Sequence, residues 1–260
     1  CGNMGLGMGN GNANLFSAVV GTPSPAPSCT TGYSLELDGL TEYGQAASAP
    51  DLGTGGTGNF TISFWVKTPT PTTSGNQRIF TKALGSSVSS WTIYINGSGG
   101  YMQFNAGGTS GWGDGFNSYI IPNDTWVLIA YSVDRAGLAS WSANGGNINT
   151  KDVSTFNINL SGGDTMYLGR NSGGQYLEGN LAHLAIWDTD LNLTELSELY
   201  NNTTGLCYDS DFSFSSNLTN YWPCFNPSGT FTDPLTDTVG TADIPLFNMD
   251  ATNVSTDHPL

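Results

Sequence analysis

The feature that most constrains this chain is a series of short runs in which apolar and polar residues alternate. In the run FTISFWVK, every second residue from Phe60 to Val66 is apolar. A period of two places such residues on one face of a β-strand. About ten short runs of this kind, separated by glycine and asparagine turns, are typical of two β-sheets packed face to face. We therefore predict an all-β fold with two antiparallel sheets.

Two segments refine this prediction. The run from Thr125 to Asp134, TWVLIAYSVD, is almost continuously apolar, which is typical of a strand covered on both faces. The segment GNLAHLAIWDTDLNLTELSELYNN contains a strand from Leu181 to Trp187, a polar turn, and the one short helix that we predict. Asn192 followed by Glu195 is a capping-box pattern, which marks the start of that helix.

Composition divides the chain into three parts. Residues 1–32 contain the segments GMGNGN and TPSPAP, which predict a glycine-rich arm followed by a proline-rich linker. Residues 33–205 hold the predicted strands and the helix, and we predict that they form one domain. In residues 206–260 the alternation is lost, and we predict an extended segment that packs on the domain or on a neighbouring molecule.

The charge of the chain excludes several kinds of partner. It has 21 acidic and 6 basic residues, which gives a net charge of −15. Such a chain repels nucleic acids and anionic membranes, so we predict no nucleic-acid partner. No apolar run approaches the length of a membrane span, and we predict no membrane insertion.

The chain has four cysteines, Cys1, Cys29, Cys207 and Cys224, which allow three sets of two disulfides. Cys207 and Cys224 bracket a loop rich in Tyr and Phe, and they are our candidate disulfide. The alternative is that the cysteines are free thiols or small buried residues.

Three segments that occur in order between residues 33 and 205 carry a family resemblance: YSLELDGLTEY, NFTISFWVKTP and MYLGRNSGGQYLEGNLAHLAIWDTDLNLTELSELYNN. They are similar, in turn, to the opening strand, the second strand and the closing unit of the laminin-G-like, concanavalin-A-like jelly-roll superfamily. The resemblance implies that the two predicted sheets form a jelly-roll sandwich with one short helix.

A narrower resemblance involves the two ends of the chain. The C-terminal part contains SNLTNYWPCFNPSG, then a stretch rich in Thr, Pro and Asp, and then NMDATNVSTDHP, while the N-terminal part contains GLGMG. These features are similar to those of laminin-G-like structural proteins of marine bacteriophages. The resemblance implies a virion component, on the capsid or the tail, whose partners are other virion proteins or copies of itself.

The superfamily resemblance also implies one structural calcium ion. Many members hold Ca²⁺ between the Asp of the opening Asp-Gly and an Asp in the closing strand, because this cation prefers several oxygen ligands. Asp38 and Glu42 match the first half of such a site. The second half falls at Ala182, which has no side-chain oxygen, so one carboxylate is missing. The alternative is a solvated turn in which Asp38 caps its own backbone.

The loop GWGDGFN favours glycan binding, since sugars stack on aromatic faces and form hydrogen bonds with amides and carboxylates. The candidate residues in this loop are Trp112, Asp114, Phe116 and Asn117. Secondary candidates are Tyr43, Tyr101, Trp141 and Asn144. The alternative is that these aromatic residues lie in the core of the sandwich.

Hydrolysis has to be considered, because some β-glucanases share the fold that the resemblance implies. Those enzymes carry their catalytic carboxylates on one strand face with a spacing of about two residues. Glu36, Asp38 and Glu42 provide three carboxylates, but the third lies one position too far along the chain. Asp38-Gly39 is also typical of a strand end. We predict that the chain is not an enzyme.

His183 is the histidine in the predicted closing strand. One histidine without cysteine or a second histidine nearby is a poor metal site. From the alternation, we expect His183 to lie on the same strand face as Leu181, Ala185 and Trp187, packed or half-exposed.

Together these observations predict a non-enzymatic virion surface protein, either a capsid decoration or a tail-associated component. Its lectin-like domain would bind glycans weakly and in many copies, for host adhesion. Two alternatives stay open. One is a secreted bacterial lectin or adhesin module, located extracellularly or at the cell surface. The other is a structural decoration protein that binds no sugar.

Overall fold

The structure, a computed structural model, has a β-strand at most of the alternating runs. It describes residues 32–82, 90–107, 112–114, 119–156, 158–201, 208, 212–224 and 229–259. The strands in these ranges are β1 (Ser34–Asp38), β2 (Tyr43–Ala46), β3 (Phe60–Lys67), β4 (Gln77–Lys82), β5 (Trp91–Ile95), β6 (Met102–Ala106), β7 (Trp112–Asp114), β8 (Val127–Val133), β9 (Leu138–Ala143), β10 (Gly146–Asp152), β11 (Met166–Leu168), β12 (Glu178–Trp187), β13 (Leu218–Trp222), β14 (Leu246–Phe247) and β15 (Val254–Ser255). The α-helix α1 spans Leu193–Tyr200.

The described strands form two antiparallel sheets. The first sheet has the order β10-β9-β8-β3-β12-β1-β15, and β13 pairs with the second half of β12. The second sheet has the order β14-β2-β11-β4-β5-β6-β7. This is the predicted two-sheet sandwich of the jelly-roll type, and the fold prediction is confirmed.

The core lies between the sheets, where the alternation predicts it. Phe60, Ile62, Phe64 and Val66 of β3 are all buried in this core. The almost continuously apolar run became β8, in which every residue is buried. Its Leu128 and Ala130 face away from the inter-sheet core and belong to a second cluster, so β8 is covered on both faces as predicted.

The second cluster covers the outer face of the first sheet. Helix α1 begins at the predicted capping box, because the side chain of Asn192 accepts hydrogen bonds from Thr194 N and Glu195 N. Leu196 and Leu199 of this helix pack onto the sheet. Aromatic residues from the following segment complete the cluster: Tyr208, Phe212 and Tyr221.

The C-terminal segment contributes strands to both sheets. β13 pairs with β12, β15 pairs with β1, and β14 pairs with β2 of the second sheet. Trp222 and Leu246 from this segment are buried in the inter-sheet core. The described residues between 212 and 255 are therefore part of the sandwich architecture, while the predicted division into three parts stays a prediction.

A β-bulge in β12 overturns the expectation for His183. The pairing of β12 with β3 shifts register between Ala182 and Ala185. His183 in this bulge has a positive φ of 49°. The extra residue breaks the alternation, so Leu181 faces the inter-sheet core while Ala185 and Trp187 face the outer cluster. The expected common face of Leu181, Ala185 and Trp187 is wrong for this reason.

In the ranges given above, no helix is long and apolar enough to cross a membrane.

Candidate functional site

The most exposed aromatic group of the described chain is a layered stack on the outer face of the second sheet. The rings of Tyr43 on β2 and Phe247 on β14 are parallel, with centroids 4.9 Å apart and an interplanar angle of 4°. The guanidinium carbon of Arg170 lies 3.6 Å from the centroid of the Tyr43 ring. A guanidinium centred over a ring leaves no room for a parallel ring on the same side. Phe247 and Arg170 therefore cover opposite faces of Tyr43, and we call these three residues the aromatic stack.

Strand register explains why these residues meet. Phe247 is paired directly with Tyr43 across β14 and β2. Directly opposite side chains in an antiparallel pair are close enough for aromatic contact. Phe247 remains 40% exposed, and it lies on the edge strand of the second sheet, so no described strand lies beside the ring on the side away from Tyr43.

A tight hairpin places a second tyrosine beside the stack. Arg170 and Tyr176 face each other in an isolated bridge, and the Arg170 Nη1 donates to the Tyr176 hydroxyl at 3.2 Å. The Asn171 side chain holds the hairpin, because its Oδ1 accepts from Gly173 N and Gln175 N. The Tyr176 ring meets the Tyr43 ring edge-on, with centroids 6.4 Å apart. The stack is therefore fixed from both sides.

Amide groups lie next to the stack along the same face. Gln45 is the outward neighbour on β2, and it pairs with Tyr167 of β11. Gln175 Oε1 accepts hydrogen bonds from Asn171 Nδ2 at 2.7 Å and from Arg78 Nε at 2.9 Å. Sugars bind at sites where aromatic faces lie beside hydrogen-bonding groups such as amides and guanidinium groups.

Two of the four primary glycan candidates, Trp112 and Asp114, lie on a described strand. Trp112 and Asp114 belong to β7, whose backbone pairs with β6, with Trp112 opposite Ala106. Phe116 and Asn117 lie outside the described residues. The glycan role of this loop stays a prediction.

The secondary candidates are scattered. Tyr43 is in the aromatic stack, whereas Trp141 is 3% exposed in the inter-sheet core, where its ring faces contact other core residues. Asn144 forms a hairpin turn, and its side-chain oxygen accepts from Leu128 N at 3.0 Å. Tyr101 is half-buried and forms an isolated bridge with Ile120. Of these four candidates, Tyr43 is the one that belongs to the aromatic stack.

Sequence reasoning missed Arg170, Tyr176 and Phe247. Their sequence neighbourhoods carry no shared motif, and Phe247 lies 204 positions after Tyr43 by numbering. The pairing of β14 with β2 brings Phe247 next to Tyr43. The hairpin RNSGGQY is a turn signal that could have predicted the Arg170–Tyr176 pair.

The predicted calcium residues form a self-capped turn. Both carboxylate oxygens of Asp38 accept hydrogen bonds from the turn that follows: from Leu40 N, Thr41 N, the Thr41 hydroxyl and Glu42 N. Glu42 in return accepts from Asp38 N at 2.7 Å. Burial alone would raise the pKa of Asp38, but these hydrogen bonds outweigh it and hold that pKa below its ordinary value.

The residue opposite this turn is not the one that the family pattern implied. Asp38 pairs with Glu178, while Ala182 lies four positions further along β12 in the outer cluster. Among the described residues, no group of three His, Cys, Asp or Glu is arranged to hold a metal ion. The calcium site stays a prediction, and a cation there would compete with the four hydrogen bonds that Asp38 accepts.

Two grooves lie on the outer face of the first sheet. One has a volume of about 340 Å³, and its lining includes the hydroxyls of Ser132, Ser140 and Ser142 and the carboxylates of Asp134 and Asp190. The other has a volume of about 270 Å³, and its lining includes four carboxylates, from Glu36, Asp38, Asp124 and Glu178. Among their described lining residues, neither groove has an exposed aromatic ring.

The comparison with protein families decides the affiliation of the chain. The model of the concanavalin A-like lectin/glucanases superfamily matches residues 39–197, which is more than half of the chain. This chain belongs to that superfamily. The matched range runs from the turn after β1 through most of α1, so it includes Tyr43, Arg170 and Tyr176 but not Phe247.

Two solved structures share the fold of this concanavalin A-like chain. A Bacteroides ovatus protein named for carbohydrate binding matches with a TM-score of 0.55 and 14% identity, over 83% of this chain and 59% of that one. Domain 4 of AbnA, an extracellular arabinanase from Geobacillus stearothermophilus, was solved with arabinotriose. It matches with a TM-score of 0.52 and 20% identity, over 65% of this chain and 76% of that one. At these identities the likeness shows the fold alone.

A sequence relative covers a smaller part of the chain. Botulinum neurotoxin type E from Clostridium butyricum is 25% identical over 171 residues, which is 59% of this chain. The concanavalin A-like chain spans 13% of the length of that toxin.

Two carboxylates lie on β1, the strand that precedes the range matched by the superfamily model. Glu36 and Asp38 are exposed on β1 of the first sheet, and Asp38 is its last residue. Asp38 is committed to the self-capped turn described above. The aromatic stack lies on the other sheet and has no carboxylate among its described contacts.

The predicted disulfide is untested. Cys207 lies outside the described residues. Cys224 is a free, buried thiol whose Sγ lies 3.6 Å from the backbone oxygen of Trp222. Burial raises the pKa of this thiol far above its ordinary value, so it is protonated and unreactive at neutral pH.

Proposed function

We propose that this chain is a non-enzymatic glycan-binding domain and that its sugar site is the aromatic stack of Tyr43, Phe247 and Arg170. The observation that carries this proposal is the open face of Phe247, held in a fixed orientation by the parallel Tyr43 ring. A rigid ring of this kind can pack against the C–H face of a sugar without losing side-chain freedom. The neighbouring amide and guanidinium groups supply hydrogen bonds to hydroxyls.

The geometry of the stack favours an oligosaccharide over a single sugar. Phe247 and Arg170 lie on opposite faces of Tyr43, so a sugar ring that stacks on the far face of Phe247 is separated from the guanidinium by both the Phe247 and the Tyr43 rings. A ligand of two or more units can contact both. We expect weak binding by each copy, which many copies on one particle would strengthen through avidity.

The proposal of a binding module over an enzyme is supported by the chemistry of the stack. Hydrolysis of a glycosidic bond uses two carboxylates that flank the scissile bond. The described residues in contact with the stack are aromatic, amide or guanidinium groups.

Removal of the open ring tests the site. We predict that Phe247→Ala reduces affinity for the best ligand on a glycan array by about tenfold or more, because a stacking surface and its buried area are lost. Titration calorimetry with wild type and variant gives the measurement. The matched control is Leu138→Ala, since Leu138 is 50% exposed but lies on β9 of the other sheet.

Two results would contradict the proposal. One is that wild type binds no glycan on the array, with or without calcium. The other is that Phe247→Ala binds as wild type does, while an alteration of the groove lined by Ser132 and Ser140 abolishes binding.

The location that we propose is the surface of a bacteriophage virion, as a capsid decoration or tail-associated component. Its support is the resemblance of the two chain ends to phage structural proteins. Labelling of native particles with an antibody against this chain, followed by electron microscopy, tests it. Label on bacterial cells instead of particles would favour the secreted adhesin, and labelled particles without glycan binding would favour a purely structural decoration protein.

A further inference from the structure

The guanidinium of Arg170 has more hydrogen-bonding capacity than the protein uses. Its Nη1 donates to the Tyr176 hydroxyl, and its Nε is buried with no hydrogen-bond partner. In the part of the chain that the structure describes, the ion pairs are Lys67–Asp257 and Lys82–Asp164, and Arg170 is in neither. A half-buried cation held by aromatic rings, without a counter-ion, is poised to receive an anionic group.

The charge distribution of the face supports the same inference. The chain has 21 acidic and 6 basic residues, so a random surface patch would be rich in carboxylates. The outward positions of β2, β4, β5, β6, β11 and β14 have none. They are occupied by aromatic, amide and hydroxyl side chains and one arginine: Tyr43, Gln45, Arg78, Thr81, Thr92, Tyr94, Gln103, Asn105, Tyr167 and Phe247.

A second arginine strengthens this local positive potential. Arg78 is 9% exposed, and its guanidinium carbon lies 4.3 Å from the centroid of the Tyr94 ring. It is linked to the Arg170 hairpin through Gln175, and no described carboxylate forms an ion pair with it. Burial lowers the pKa of Arg78, yet a guanidinium stays charged at neutral pH. Two of the six basic residues of the chain thus belong to this sheet: Arg78 at an outward position of β4, and Arg170 in the hairpin that follows β11.

From these observations we propose that the aromatic stack recognises an acidic oligosaccharide, and that Arg170 binds a sugar carboxylate while Phe247 stacks on a neighbouring unit. This inference rests on the proposed glycan function and adds the class of ligand. A planar guanidinium matches a carboxylate in shape as well as in charge. Because the chain as a whole repels anions, this face would also exclude anionic partners that do not offer a sugar ring for Phe247.

The test compares ligands that differ only at the carboxylate. Oligoglucuronates and oligogalacturonates are titrated beside their carboxyl-reduced forms, in which each carboxylate is replaced by a CH₂OH group. We expect the acidic form to bind wild type about tenfold more tightly at low salt, and this advantage to shrink as salt is added.

Matched variants assign the effect to one side chain. Arg170→Gln keeps a donor for the Tyr176 hydroxyl but removes the charge, and we expect it to bind the acidic and the reduced forms equally. Lys151→Gln is the control, because it removes the same charge from the edge strand β10 of the other sheet and should leave the preference intact. Thermal melting establishes that both variants fold.

The outcomes separate this inference from the proposed function. If wild type binds the reduced forms as tightly as the acidic forms, the carboxylate inference is overturned and the glycan function stands. A preference for sulfated over carboxylated sugars also overturns it. If Arg170→Gln does not fold, the comparison of the two ligand forms on wild type still tests whether a sugar carboxylate is recognised. If no glycan of any kind binds, the proposed function itself fails.

Discussion

At the scale of single residues, His183 in the bulge of β12 combines burial with an unusual backbone conformation. It is 1% exposed, and its backbone has a positive φ, a conformation that is costly for a residue with a side chain. Its Nδ1 lies 2.6 Å from the Tyr221 hydroxyl. The ring also contacts Tyr208, with centroids 5.5 Å apart. These contacts explain how the outer cluster holds an imidazole in the protein interior.

Burial of His183 should make stability depend on pH. Burial, followed by repulsion from His258, lowers the pKa of His183 from 6.5 to about 4. The unfolded chain therefore takes up a proton first as pH falls, and the stabilising contribution of neutral His183 is lost between about pH 6.5 and pH 4. We predict a decrease of about 2 kcal/mol in the free energy of unfolding between pH 7 and pH 5 from this residue.

Urea unfolding of wild type and His183→Gln at both pH values gives the measurement. Glutamine does not titrate, so the variant should show a smaller decrease, with the difference assigned to His183. Equal decreases in the two proteins would show that His183 does not carry the effect.

At the scale of elements, the sequence predicted what local alternation and capping determine. β3, β8 and α1 are where the patterns place them, because each buries a face that its own residues define. The bulge in β12 could not be predicted, because the sequence of a strand does not show where an extra residue interrupts its pairing with the neighbouring strand. The short strands β14 and β15 have two residues each, too few for a period, and they exist through pairing with distant strands. For the same reason, the aromatic stack could not be predicted from the sequence. Of its three residues, only Tyr43 was among the predicted glycan candidates.

At this scale, one buried carboxylate links β13 to a turn of the C-terminal segment. Asp237 is 6% exposed. Its two oxygens accept hydrogen bonds from Asn220 Nδ2 and from four backbone N–H groups, those of Tyr221, Val239, Gly240 and Ala242. This network connects β13 to the turn at residues 237–242. An amide in this place would bring one NH₂ group against donors that need an acceptor.

We predict that Asp237→Asn lowers the free energy of unfolding by about 2 kcal/mol, the cost of leaving buried donors unsatisfied. Denaturant unfolding followed by Trp fluorescence measures it. Asp152→Asn is the control, because the exposed Asp152 carboxylate accepts only from Ser154 in its own turn. If Asp237→Asn lowers the free energy of unfolding no more than this control does, the hydrogen bonds of Asp237 do not stabilise the attachment of β13.

At the scale of the whole molecule, the two outer faces of the sandwich differ in kind. The outer face of the first sheet is largely covered by α1 and by the segment that includes Tyr208 and Phe212. The outer face of the second sheet keeps the aromatic stack, with Phe247 open to solvent. One sheet therefore carries a second hydrophobic cluster, and the other presents the binding surface that we propose.

The location of bound sugar tests this account most directly. A crystal structure of the chain with the tightest oligosaccharide from the array should show a sugar ring packed on the open face of Phe247 and a second unit within hydrogen-bond distance of Arg170. Sugar bound in either groove on the first sheet, with the aromatic stack empty, would contradict the account.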